Sequence, residues 1–132
     1  KDGKILDSIK MIQNNLFDLG TMLAISNTID AKDFPKINSE NIKLLEDLID
    51  FYNQDLSPLK SFVLPSGTKV GSYFHVCRTI CRRVERGCVA LSQSSKIDFN
   101  IVVYLNRLSD LLFVWARWTN KRAGKIENFW ST

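Results

Sequence analysis

Arg78, Arg82 and Arg86 recur every four residues, with Arg83 and Glu85 between them. On a helix this spacing stacks like charges along one face, a repulsion of about 0.2–0.5 kcal/mol per pair. Glu85 can pair with one guanidinium, and Asp110 further along can take another. The remainder is a surplus of planar, permanently charged forks whose donors match phosphate oxygens. A solvated basic face is the alternative reading of the same residues. A second group follows in Asn106, Asp110 and Arg117, at steps of four and seven, with Arg107 three residues before Asp110. Asn106 both donates and accepts, as reading a base or a ribose requires. These residues serve equally well as a polar network that orients two helices.

Other chemistries lack their residues. No GxxxxGK[ST] loop, nucleophile elbow or Ser-His-Asp order occurs. His75 is the only histidine, so no multi-histidine metal site can form, and it reads as a satisfied core group. Cys77, Cys81 and Cys88 share one segment at helical spacing and read as small buried hydrophobes. Their odd number and clustering argue against a disulfide framework and for a reducing compartment.

The elements that position these residues follow from the apolar pattern. With 132 residues, 45% hydrophobic and 24% charged, the chain reads as one domain spanning residues 1–132. A net charge of +4 suits an anionic ligand without requiring one. No run of 18 apolar residues is seen, so no membrane span is expected, and no signal peptide is visible. Four segments repeat apolar residues in steps of three and four. They carry Ile5 to Leu23, Ile42 to Leu59, Val70 to Leu91, and Ile101 to Trp115. Four such stripes predict an all-α, up-and-down helical bundle with left-handed packing. Asn38 or Ser39 is the expected N-cap of the second helix, and Gly124 ends the fourth. Connections are expected around Pro35, across residues 62–69 and through residues 92–98. Gly20 reads as a close helix crossing, whereas Trp118, off the core stripe, reads as an exposed edge suited to a subunit contact.

Three motifs carry a resemblance. Phe62-Val-Leu-Pro-Ser-Gly, His75-Val-Cys-Arg-Thr-Ile-Cys-Arg-Arg-Val-Glu-Arg86 and Tyr104-Leu-Asn-Arg-Leu-Ser-Asp-Leu-Leu-Phe-Val-Trp-Ala-Arg117 occur in that order. Together they resemble the PduO-type ATP:cob(I)alamin adenosyltransferases. Gln13-Asn-Asn-Leu-Phe-Asp-Leu-Gly20 is similar to that family's second helix. The resemblance implies a five-helix bundle, a homotrimer with active sites between subunits, and transfer of adenosyl from ATP to Co(I) of cobalamin. It implies that Arg82, Arg83, Glu85, Arg86 and Asn106 contact ATP, Arg82 also bridging subunits. Phe62 lies on the corrin side, where it helps exclude the lower cobalt ligand. Arg78 and Asp110 support the site, Mg2+ accompanies the nucleotide, and no residue acts as acid or base.

The family's T-x-x-G-D-x-G-x-T segment and first helix are not in this sequence. Because Lys1-Asp2-Gly3-Lys4 reads as mid-loop, residues before it are expected. Val84 and Ser66 stand where the family commonly has Ala and Gly. A non-catalytic relative that binds and delivers cobalamin is the alternative function. Nucleic acid is not expected as a partner, since most aromatics fall on core stripes. A B12-dependent enzyme or a reductase is a possible partner, in the cytoplasm or, in a eukaryote, the mitochondrial matrix.

Overall fold

The computed structural model describes residues 1–25 and 34–131. Four helices follow in order: α1 Asp2–Ala24, α2 Ser39–Asn53, α3 Lys69–Ser92 and α4 Phe99–Arg122. Local chemistry sets their starts. Asn38 caps α2 with a full capping box, its side chain accepting from the Asn41 backbone while the Asn41 side chain accepts from the Asn38 N–H. Thr68 caps α3 through Gly71 N, and Asp98 caps α4 through Asn100 N. Gly124, at φ 73°, ends α4 as the sequence predicts. The loop expected around Pro35 lies largely outside the described residues.

α4 is the spine, packing against both α2 and α3. By length and composition it is apolar enough to cross a membrane, which a count of uninterrupted apolar residues misses. Most of its apolar window is buried against the other helices. Ile101, Leu105, Leu108, Leu112 and Trp115, the predicted stripe, are all buried. At the centre the Tyr52 ring meets Trp115 and Trp118 edge-on, with centroids 6.0 and 5.1 Å apart. Trp118 is therefore core, not an exposed edge. Its indole N–H donates to Asp55 Oδ2 at 2.9 Å, which satisfies the one polar atom that burial would strand.

The side facing α1 is less filled. A groove of about 570 Å³ runs between α1 and α3 with α4 as its floor, lined by Ile12, Leu16, Gly20, Cys77, Val84 and Leu112 among others. Cys77 and Val84, expected in the core, line this groove and are exposed, as are Val70 and Leu91 near the ends of α3, while Phe74, Cys81 and Cys88 are buried. Gly20 opens onto this groove with nothing near its missing Cβ, so it marks no close crossing. Close approach occurs instead at Gly67 and Gly71, where any Cβ would collide with the Asn120 carboxamide. That carboxamide accepts from Thr68 N and Thr68 Oγ1 at 2.9 and 2.8 Å, and donates to Ser66 O at 2.9 Å. Asn120 thereby bolts the loop before α3 to the end of α4.

Candidate functional site

Arg82, Arg83 and Arg86 all project from α3 into solvent. Among the described residues no carboxylate lies within ion-pair distance of them or of Arg78. The expected neutralisation by Glu85 and Asp110 is not made. Glu85 instead accepts from Asn106 Nδ2 at 3.2 Å, because the two sit at one level of the α3–α4 contact. Asn106 Oδ1 accepts from Arg107 at 2.8 Å, and Arg107 Nε reaches across to Glu46 on α2 at 3.0 Å. Thus Arg107 serves Glu46 and Asn106 and not Asp110. Two of the expected nucleotide residues, Glu85 and Asn106, are joined directly, below a ridge of free guanidinium groups.

Arg78 and Arg82 also line a pocket of about 300 Å³ with Phe62, Val63, Asp110 and Phe113. Desolvation holds the Asp110 carboxyl above its ordinary range; Arg107 and Arg82 oppose this, and Glu85 adds to it. The Arg78 guanidinium lies 5.3 Å from the Phe113 ring centroid. Burial pushes it down from its ordinary value, Arg82 acting the same way, yet it remains a cation. Among the described residues its Nε is buried without a partner. So is His75, both of whose ring nitrogens are orphaned, contrary to the satisfied core group its isolation in the sequence suggests. Burial, with Arg78 adding, pushes the imidazole below its ordinary value, while Glu127 opposes.

Arg117 decides the reading left open for the second group. Its side chain is only 5% exposed, bonded through Nε to Glu127 Oε1 at 2.6 Å and through NH2 to Ser57 O at 2.9 Å. It is a structural clamp, separate from the arginine ridge.

Two features escape the sequence. Phe113, which the sequence offers only as one apolar residue of the third motif, lines the pocket beside Phe62. Its position, three after Asp110 and four before Arg117, was the available signal. The second is a strap after α4, for which no periodicity gives warning. Residues 128–130 run back along 62–64, with Leu64 N donating to Asn128 O at 2.7 Å and Trp130 N to Phe62 O at 2.8 Å. The strap holds Phe62 at the pocket mouth.

The helical bundle thus sets a cationic ridge, with no paired carboxylate among the described residues, beside an aromatic-walled pocket. The comparisons with known proteins sharpen this. The family model for cobalamin adenosyltransferase matches residues 1–119. The corrinoid adenosyltransferase of Bacillus subtilis is 46% identical over 113 residues, covering 86% of this chain and 57% of that protein. The bovine corrinoid adenosyltransferase MMAB is 39% identical over 133 residues, covering 98% of this chain and 55% of its own length. A variant PduO-type ATP:corrinoid adenosyltransferase from Lactobacillus reuteri, complexed with cobalamin and ATP, superposes with a TM-score of 0.89 at 33% identity, over 96% of this chain and 68% of that one. The chain belongs to the cobalamin adenosyltransferase family. It spans a little over half the length of these two relatives.

Proposed function

We propose that this chain is the helical core, one domain over residues 1–132, of an ATP:cob(I)alamin adenosyltransferase. Co(I) of the corrin uses its electron pair to form a bond to C5′ of ATP. The C5′–O bond breaks, and triphosphate leaves with that bond's electrons. The observation that carries this reading is the run of free guanidinium groups at Arg82, Arg83 and Arg86 beside the Phe62–Phe113 pocket. Fixed cations stabilise the charge that builds on the departing oxygen. The nucleophile is the cobalt itself, so the protein's work is alignment and exclusion of water, and no general acid or base is required.

In this reading Arg82, Arg83 and Arg86 take the triphosphate, and the Glu85–Asn106 pair takes the nucleoside. Phe62 faces the corrin and disfavours the lower axial ligand, and Phe113 walls the same pocket. Arg78 and Asp110 support the site, and Arg82 also reaches a neighbouring subunit in a homotrimer. The described residues bring no three His, Cys, Asp or Glu side chains together. Mg2+ accompanies the triphosphate in this reading. The apolar groove between α1 and α3 suits the fifth, N-terminal helix of the bundle. The setting is the cytoplasm or the mitochondrial matrix, with a B12-dependent enzyme or a reductase as partner.

The test is a spectroscopic assay for the cobalt–carbon bond on the full-length protein, with reduced cobalamin, ATP and Mg2+. ATP-dependent conversion is expected. Cobalamin binding without conversion would replace this reading with that of a delivery protein, and failure to bind either ligand would overturn both.

A further inference from the structure

We propose that Trp130 is a positioning residue for the corrin, forming with Phe62 an edge-to-face ring pair at the mouth of the pocket. The proposal rests on the adenosyltransferase reading above and adds a residue that lies outside the stretch matched by the family model, which ends at 119.

The observation is a pair of aromatic rings placed together in the open. Phe62 and Trp130 meet edge-on, 6.2 Å between centroids at 71°. Phe62 is 78% exposed and Trp130 51%. Two short extended segments in water hold together only marginally by themselves. Here the strap is fixed at several points. Trp130 N donates to Phe62 O, and Ser61 Oγ donates to Trp130 O at 3.1 Å. Asn128 Nδ2 donates to Ser66 Oγ at 3.0 Å. Behind it, Glu127 is clamped by the buried Arg117. Much of this network serves to keep two large apolar rings beside each other and facing solvent. Aromatic side chains so held lose little further freedom when a flat, largely apolar ligand covers them, which makes them efficient anchors. The corrin is such a ligand; the triphosphate is not, and it belongs to the guanidinium ridge on α3. Trp130 touches Phe62 edge-on, so it also fixes the angle at which that ring meets the cobalt face.

The experiment uses the full-length protein and the Trp130→Ala, Trp130→Gln and Trp130→Phe variants. KM is measured separately for cob(I)alamin and for ATP. The visible spectrum of bound cob(II)alamin reports how much has lost its lower ligand. Trp130→Ala and Trp130→Gln are expected to raise KM for cobalamin about tenfold or more, to leave KM for ATP within about twofold, and to lower the four-coordinate fraction, with Trp130→Phe restoring most of both. Equal kinetics and spectra in Trp130→Gln and the wild type would overturn the proposal. So would equal losses toward both substrates, which would make the residue merely structural. Should Trp130→Ala fail to fold, the polar Trp130→Gln, which keeps the backbone bonds, decides. If the wild type itself binds no cobalamin, the functional reading fails and this proposal falls with it; if the wild type binds and the variants match it, the proposal alone is overturned.

Discussion

Arg117 and Arg82 are the same residue type on two packed helices, and the fold treats them in opposite ways. Arg117 is buried, with a carboxylate and a carbonyl on its fork. Arg82 stands in solvent with no carboxylate in reach among the described residues. The first guanidinium is satisfied inside the chain and has no capacity left for a ligand. The second has no hydrogen-bond or ion-pair partner among the described residues, and its neighbours Arg83 and Arg86 share that state. What separates a structural arginine from a binding one is the element that covers it. For Arg117 that element is the strap carrying Glu127; nothing described covers Arg82.

The comparison predicts different losses. Arg117→Ala leaves Glu127 charged, mostly buried and unpaired, and should destabilise the fold by about 3–5 kcal/mol in urea titration. A change below about 1 kcal/mol would show the clamp to be incidental. Arg82→Ala should lower adenosylation by about 10²–10³-fold, as loss of one fixed donor to developing charge typically does, while the urea midpoint stays put. Full activity would remove Arg82 from the site and undo the contrast. The smallest effect concerns His75. Its folded-state proton affinity is depressed below the ordinary 6.5, chiefly by burial and then by Arg78, with Glu127 opposing. The unfolded chain therefore takes up the proton first as pH falls. Stability attributable to His75 is complete above about 6.5 and is lost on acidification below it. Urea midpoints measured from about pH 8 to pH 5 should fall less steeply for His75→Gln than for the wild type. Identical slopes would mean that the imidazole is not desolvated as the fold implies.

The legibility of each part in the sequence follows from its range of interaction. Helices are set by neighbours three and four apart, so the α4 stripe and the Asn38 cap could be read directly. Trp118 could not, because its burial depends on Tyr52 and Asp55, more than sixty residues earlier. The expected close crossing failed at Gly20 and appeared at Gly67 and Gly71 for a similar reason: only the fold brings Asn120 to them. At the site, the arginine spacing was legible, yet the partners of Glu85 and Arg117 were not, since Asn106 and Glu127 arrive from other segments. The strap was invisible because a short terminal segment with one bridge leaves no period.

The groove along α1 has a kinetic side. That helix is secured by Ile5, Ile12 and Leu19, by Asn15 Nδ2 donating to Tyr104 Oη at 3.0 Å, and by Lys1 paired with Asp55 at 2.5 Å. The dense helix contacts are those of α4 with α3 and with α2. In hydrogen exchange α1 is therefore expected to open as a separate unit, its amides trading with solvent below the free energy of global unfolding. The remaining three helices keep their protection while it does so. Whatever fills the groove slows that exchange, so the protection of α1 is a direct gauge of the groove's occupancy.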